Sequence, residues 1–115
     1  LSLIIPTLNE ATNVPRLLPR LSRALSGVDH EVIEVDDGST DGTPEVVRSL
    51  RSKYFTLRLL ERSSDPGLSA SIVAGFREAR GELVAVMDAD LQHDPRVLPR
   101  IVEAAESAEI VIGSR

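Results

Sequence analysis

The residues most suggestive of chemistry are two aspartates separated by a single alanine. Asp88, Ala89 and Asp90 follow an apolar run, and Gln92 continues the same spacing. Residues two apart on an extended chain project to the same side, so Asp88 and Asp90 can face one ligand. Carboxylate and amide oxygens suit Mg²⁺ or Mn²⁺, which keep water ligands and bridge to substrate phosphates. The segment therefore predicts a divalent-cation site for a phosphate-bearing substrate.

Two further polar segments follow predicted strands and make the same region acidic. Residues 7–10 read Thr-Leu-Asn-Glu, and residues 36–42 read Asp-Asp-Gly-Ser-Thr-Asp-Gly. Such a cluster of acids indicates either a bound cation or well-solvated loops. For Asp41 the solvated turn is favoured, because Asp-Gly is ordinary turn chemistry. His93, beside the aspartate pair, is either a hydrogen-bond donor to that segment or a plain loop histidine.

Short apolar runs that alternate with amphipathic stripes supply the elements that must position these residues. Thr43 and Asp94 each precede a proline and are predicted helix caps. Stripes at helical spacing occupy the intervals between the runs. The strands are predicted over residues 1–6, 31–36, 56–61, 83–88 and 109–113.

Four residues interrupt this regular pattern, and a fifth follows a strand end. Pro19 and Pro99 lie inside the first and last stripes, so those helices are expected to be irregular or to begin late. Glu34 and Arg58 interrupt the second and third strands and are interpreted as marking a strand end or a sheet edge. Arg62, after the third strand, is expected to anchor a loop, with a solvated pair with Glu61 as the alternative.

The alternation predicts an α/β fold with a mostly parallel, Rossmann-like sheet and helices on both faces. Crossovers between parallel strands are right-handed, and ligands bind at the carboxyl ends of the strands. Each polar segment described above follows a strand, so all of them are expected at that one edge.

Composition excludes several classes of protein. The 115 residues carry a formal charge of −5 and only three aromatic side chains, which disfavours nucleic acid as a partner. The absence of cysteine excludes a disulfide framework and a thiolate metal site. No apolar run approaches the roughly 20 residues of a membrane-spanning helix.

Other phosphate-handling motifs are missing. The sequence has neither a P-loop nor a GxGxxG dinucleotide fingerprint. An EF-hand starting at Asp37 fails because Arg48 stands where the loop needs glutamate. A Mg²⁺-dependent phosphohydrolase with an aspartyl-phosphate intermediate is disfavoured by Leu91 and Gln92 after Asp90. That class and a non-catalytic nucleotide-binding module remain the alternatives.

Five motifs together resemble those of family 2 glycosyltransferases, in particular the branch of dolichol-phosphate mannosyltransferases and other polyprenol-phosphate glycosyltransferases. The motifs occupy residues 3–10, 35–43, 62 with 67–70, 87–93 and 112–115, in the family's order. The resemblance implies a GT-A fold. It also implies that residues 1–115 form a single catalytic domain, incomplete at its acceptor-binding side, which holds the nucleotide sugar.

The resemblance further implies roles for individual residues. Asp90 and Gln92 correspond to direct metal ligands, and Asp88, Asp90 and Arg115 to catalytic residues. Arg115 matches an arginine that meets donor or acceptor phosphate, with an ordinary surface arginine as the alternative. Leu8 replaces a common aromatic, so stacking on the base is lost. The implied nucleotide-sugar-binding residues are Pro6, Leu8, Glu10, Val35, Asp37, Asp88, Ala89, Asp90, Gln92 and Arg115.

The reaction implied is inverting transfer of mannose or glucose from GDP-mannose or a UDP-sugar to a polyprenyl phosphate, with Mg²⁺ or Mn²⁺ as cofactor. A phosphate monoester has a second pKa near 6, so the acceptor needs no strong general base. The expected location is the cytoplasmic face of a membrane, reached through parts outside this chain.

Overall fold

The computed structural model describes residues 1–106, which form a parallel sheet with helices on both faces. The strands are β1 (Ser2–Thr7), β2 (Glu31–Asp36), β3 (Leu57–Glu61) and β4 (Val84–Val86). The helices are α1 (Val14–Ala24), α2 (Thr43–Leu50), α3 (Leu68–Glu78) and α4 (Leu98–Ala105), the last preceded by a 3₁₀ turn, Pro95–Val97. Four predicted strands are confirmed, with β4 shorter than expected. The predicted strand over 109–113 lies outside the described residues.

Strand order explains how distant segments reach one edge. The four strands are arranged β3-β2-β1-β4, and every pairing is parallel. The chain therefore leaves β1, β2 and β4 in the same direction. The segments that follow these three strands are the polar ones singled out in the sequence.

Each face of the sheet is covered by its own helices. Side chains alternate along β1, so Leu3 and Ile5 face the core beneath α1, while Ile4 faces α3. Gly75 allows α3 to approach closely, because a Cβ at this position would stand 2.6 Å from Ile4 Cγ2. The core on the α1 side also contains Val14, Leu17, Leu18, Leu21, Leu25, Val32, Val47, Leu57, Met87 and Leu98.

The two prolines behave differently. Pro99 lies in the first turn of α4, and that helix begins late, as predicted. Pro19 lies inside α1, which neither begins late nor stops there. A proline removes one backbone hydrogen bond, and the fully apolar buried stripe of α1 holds that helix against the sheet.

The predicted caps are half correct. Asp94 Oδ1 accepts a hydrogen bond from the Arg96 backbone N–H at 3.0 Å and caps the 3₁₀ turn. Thr43 is instead the first residue of α2, and the cap position belongs to Gly42, whose φ of 87° favours glycine.

Glu34 contradicts its interpretation as a strand end or edge. It lies within β2, opposite Ile5 on one side and Leu59 on the other, and its side chain is fully buried. Arg58 does lie in β3, the outer strand of the described sheet, as the edge interpretation expects. Among residues 1–106, no helix is both long enough and apolar enough to cross a bilayer.

Candidate functional site

Side-chain hydrogen bonds join the loops that follow β1 and β2. Asn9 Oδ1 accepts from the Thr40 backbone N–H at 2.9 Å, and the Asn9 N–H donates to Ser39 Oγ at 2.8 Å. Asp41 Oδ2 accepts from the Ala11 N–H at 3.1 Å. Asn9 has a positive φ of 56°, a conformation that asparagine tolerates better than most residues. The two loops therefore form one connected rim.

Asp41 is a structural residue despite its exposure. Besides the bond from Ala11, its carboxylate accepts hydrogen bonds from the Thr43 backbone N–H and hydroxyl. The hydroxyl bond is the main cause that lowers the pKa of Asp41. The solvated-turn interpretation therefore missed a residue that joins both loops to the start of α2.

Asp36 shapes the turn after β2. Its buried carboxylate accepts from Thr7 Oγ1 at 2.9 Å and Ser39 Oγ at 2.6 Å, and from the backbone N–H groups of Gly38 and Ser39. Four donors of the protein thus occupy this carboxylate. Gly38, with a φ of 94°, closes the turn.

Asp37, the next residue, is held between two segments. Its Oδ1 accepts from Arg62 Nη1 at 2.9 Å, and its Oδ2 accepts from the Gly67 N–H at 2.8 Å. Arg62 also donates to the Asp65 carbonyl at 2.9 Å, and both charged side chains are only 13% exposed. Arg62 is therefore the loop-anchoring residue that the sequence predicts. Its contacts orient Asp37 at the rim.

Exposure alternates along the Asp88–Ala89–Asp90 segment, as its spacing predicts. Ala89 is buried, whereas both aspartates are exposed. His93 Nε2 is 3.8 Å from Asp88 Oδ2, beyond hydrogen-bond distance. Asp90 Oδ1 accepts from the Gln92 N–H at 3.1 Å, and Oδ2 has no hydrogen-bond donor among residues 1–106.

Gln92 does not follow from the alternation that places the two aspartates. Leu91 has a φ of 67°, so the chain turns between Asp90 and Gln92. Gln92 is exposed, like the two aspartates. Gln92 thus joins this segment through a turn, and its role as a ligand is a proposal.

The chemistry of the aspartate pair fits part of a cation site. Within residues 1–106, no three Asp, Glu or His side chains are grouped closely enough to hold a metal by themselves. Mg²⁺ and Mn²⁺ accept hard carboxylate oxygens and commonly complete their coordination with water and substrate phosphate. Two exposed carboxylates at a solvent-facing edge suit a cation that arrives with a phosphate-bearing donor.

The remaining implied residues are spread unevenly over the rim. Leu8 is exposed, while Pro6 and Glu10 are half-buried. Glu10 Oε2 accepts from Asn13 Nδ2 at 2.7 Å. Val35 is fully buried on the α3 side, with 0% of the residue exposed, so it presents no surface to a ligand. The buried Ala89 is limited in the same way, and Arg115 lies outside the described residues.

Comparison with known proteins identifies the family. The model of the family described as "Glycosyl transferase family 2" matches residues 2–115. The chain belongs to glycosyl transferase family 2. The predicted resemblance is therefore confirmed over nearly the whole chain.

Two curated relatives of this family 2 chain act on polyprenyl phosphates by name. One is the dolichol-phosphate mannosyltransferase of Pyrococcus furiosus, 45% identical over 99% of this chain and 32% of the relative. Another is the undecaprenyl-phosphate 4-deoxy-4-formamido-L-arabinose transferase of Aeromonas hydrophila, 41% identical over 98% of this chain and 36% of the relative. The chain spans about a third of the length of these relatives.

A solved structure confirms the predicted fold. The mannosyltransferase PcManGT from Pyrobaculum calidifontis, in complex with GDP-Man and Mn²⁺, superposes with a TM-score of 0.74 at 32% identity. The match covers 89% of this chain and 31% of that protein. The sheet and helices of this family 2 chain are thus those of the GT-A glycosyltransferases.

Proposed function

We propose that this family 2 chain binds the donor in an inverting transfer of a hexose from a nucleotide sugar to a polyprenyl phosphate. The observation that carries the proposal is the exposed Asp88–Asp90 pair at the carboxyl edge of the sheet, within a chain whose family is known. Relatives named for dolichol phosphate and undecaprenyl phosphate support the acceptor class. The PcManGT complex with GDP-Man and Mn²⁺ supports a guanosine-linked mannose as donor.

The proposed roles divide the rim into two parts. Glu10, Asp37, Pro6 and Leu8 bind the nucleoside, and the buried Val35 supports this part of the rim from within the sheet. Asp90 and Gln92 would hold Mn²⁺ or Mg²⁺, and Asp88 would lie next to the donor, with the buried Ala89 between the two aspartates. A bound cation would stabilise the departing nucleoside diphosphate as a Lewis acid. Arg115 binds phosphate.

The residues of the rim position groups and do not abstract a strongly held proton. An acceptor phosphate monoester is already mostly anionic near neutral pH, because its second pKa is about 6. The protein then contributes by orienting the two substrates, so that the acceptor phosphate attacks the sugar in line with the departing nucleoside diphosphate. Orientation requires a rigid site. The hydrogen bonds that join the loops after β1 and β2 hold the nucleoside end of the rim in place.

A polyprenyl phosphate is held in a bilayer, so the proposed reaction takes place at a membrane surface. We propose the cytoplasmic face, where nucleotide sugars are available. Residues 1–115 would form the donor-binding part of one catalytic domain.

The decisive experiment is calorimetric titration with GDP-mannose, UDP-glucose and UDP-N-acetylglucosamine, each with Mn²⁺ and with a chelator. One nucleotide sugar should bind, and only with the metal. Asp90→Ala should weaken that binding about 100-fold or more. Loss of a residue that only supports a metal ligand already costs about 10- to 100-fold, and Asp90 is proposed as a direct ligand. Its thermal unfolding should be unchanged, because the Asp90 side chain is exposed.

Asp29→Ala provides the matched control. Asp29 is an exposed aspartate before β2, at the opposite end of the sheet from Asp90, so its loss should leave donor binding intact. Unchanged donor affinity of the folded Asp90→Ala variant in Mn²⁺ would refute the metal assignment. A folded wild-type chain that binds none of the three sugars would favour the non-catalytic module.

A further inference from the structure

A second concave surface lies beside the aspartate segment, on the α1 side of the sheet. It is a groove of about 670 Å³ between the second half of α1 and residues 91–96. Arg20, Arg23 and Arg96 supply its charged side chains, together with Asp94. Gln92 and His93 also line it, so the groove adjoins the proposed cation site, whereas none of the three arginines has a role in the proposed transfer. We refer to this surface as the arginine groove.

The arginine groove is positive although the whole chain carries a charge of −5. Asp94 is the one acidic side chain of its lining, and it is already paired with Arg96, Oδ2 to Nη2 at 2.7 Å. The Arg20 side chain makes no hydrogen bond or ion pair within residues 1–106, although its charge, after the contacts from Arg96, helps to lower the pKa of Asp94. The Arg23 side chain donates only a long bond, from Nε to the Pro19 carbonyl at 3.4 Å. Two guanidinium groups therefore retain their donors for an external anion.

Guanidinium groups select the chemistry of that anion. Their planar forks match the oxygens of phosphate, and paired charge-assisted hydrogen bonds are the strongest contacts that arginine makes. Arg20 and Arg23 are three apart on α1, so they project from neighbouring positions of one helix face. Both side chains line the same groove, so one phosphate group there is within the reach of either arginine.

The floor of the groove adds an apolar component. Ala24, Leu91 and Pro95 are among its lining residues. A free inorganic phosphate gains nothing from such a floor, whereas a phosphate attached to an apolar chain buries part of that chain there. Single-stranded nucleic acid is disfavoured, because no Phe, Tyr or Trp side chain lines the groove.

We propose that the arginine groove binds the phosphate group of an anionic membrane lipid, through Arg20 and Arg23. Part of the membrane contact then lies in this chain itself, next to the donor edge. Bound lipid would hold the aspartate segment close to the bilayer surface that contains the acceptor.

Cosedimentation of the full chain with vesicles tests this proposal. Phosphatidylcholine vesicles containing phosphatidic acid should bind the chain, and pure phosphatidylcholine vesicles should not. The double variant Arg20→Gln/Arg23→Gln should bind about 30-fold more weakly, because each arginine near an anionic surface contributes a factor of about five. Donor titration of the same variant should be unchanged.

Arg51→Gln/Arg77→Gln is the matched control, since both arginines are exposed and lie outside the groove. It makes the same change in net charge and should bind vesicles like the wild type. Equal losses in the two double variants would overturn the proposal, because binding would then reflect overall charge alone. Displacement from the vesicles by millimolar-range inorganic phosphate, or weakened donor binding by the groove variant, would also overturn it.

Discussion

β2 carries two glutamates whose surroundings are opposite. Glu31, at the amino end of the strand, accepts hydrogen bonds from Ser2 Oγ at 2.6 Å, Arg58 Nη1 at 2.8 Å and the Arg80 backbone N–H at 2.7 Å. Burial alone would raise the pKa of Glu31, but these three bonds and the charge of Arg58 lower it from 4.5 to about 2.

Glu34, three residues further along, has no such partners. Its side chain is fully buried, and neither carboxylate oxygen has a hydrogen-bond partner in the part of the chain that the structure describes. Burial, assisted by the negative charges of Asp36 and Glu10, raises the pKa of Glu34 to about 8. The carboxyl group is therefore neutral in the folded protein at pH 7.

The comparison shows that partners decide what a buried carboxyl group does. Around Glu31, donors from three separate segments bind the carboxylate and link these segments at the amino end of the sheet. We call this group of contacts the clamp. Around Glu34, nothing offsets the cost of removing the carboxyl group from water. One strand thus contains both a stabilising and a destabilising glutamate.

The largest expected effect comes from replacing Glu34. Between pH 4.5 and about 8, the folded state holds a proton that the unfolded chain has lost, so stability falls by about 1.4 kcal/mol per pH unit as the pH rises. Glu34→Leu removes this dependence and should raise the free energy of unfolding by about 4 kcal/mol at pH 8. Urea unfolding at pH 5 and pH 8 measures both effects.

The exposed Glu82→Leu is the control, and it should leave the pH dependence as it is in the wild type. If wild-type stability stays constant from pH 5 to pH 8, Glu34 is not a neutral buried acid.

Glu31 predicts the opposite dependence, at acid pH. Its folded pKa of about 2 lies below 4.5, so its stabilisation is complete above pH 4.5 and is lost as the pH falls towards 2. The loss should reach about 3 kcal/mol, at about 1.4 kcal/mol per unit. Comparing urea unfolding of the wild type and Glu31→Gln from pH 5 to pH 2 isolates this contribution from those of other carboxylates. Parallel curves for the two proteins would contradict it.

A smaller loss is expected when the clamp loses its arginine at neutral pH. Arg58 also donates to Glu78 Oε2 at 3.0 Å, and Arg58 and Glu31 are 25% and 14% exposed. Arg58→Met should lower the free energy of unfolding by about 2 kcal/mol, because a mostly buried carboxylate loses its partner. Arg77→Met, an exposed arginine of α3, is the control for charge and should be near neutral. Equal stability of the two variants would remove Arg58 from the clamp.

The smallest effect is expected at a surface ion pair. Arg48 and Glu61 are in contact, but their side chains are 49% and 48% exposed. Water and salt screen such a pair, so Arg48→Ala should change the free energy of unfolding by less than about 0.5 kcal/mol. If Arg48→Ala lowered the free energy of unfolding as much as Arg58→Met, the difference in exposure between the two ion pairs would not explain their contributions to stability. The measurement is urea unfolding at pH 7.

Local pattern was sufficient for much of the fold and for the aspartate pair. Short, continuously apolar runs predict all four strands of residues 1–106, because strands covered on both faces are apolar along their length. The one-residue spacing of Asp88 and Asp90 places both on the exposed side and Ala89 on the buried side. Parallel strand order then brings the polar segments to one edge, which the alternation of β and α elements also predicts.

Long-range contacts decided the rest. Arg62 meets Asp37 across 25 residues, and Ala11 meets Asp41 across 30. The sequence could suggest an anchor at Arg62, but it could not supply the partner.

By itself, the sequence determined the family, the order of elements and the aspartate pair, because these depend on residue type and short-range spacing. Only the tertiary structure decided that Glu31 is held by three donors, that Glu34 is buried without a partner among the described residues and that Asp41 joins two loops. Those outcomes depend on which donors the packed elements bring within about 3 Å of each carboxylate, and hydrogen bonds act only at that range.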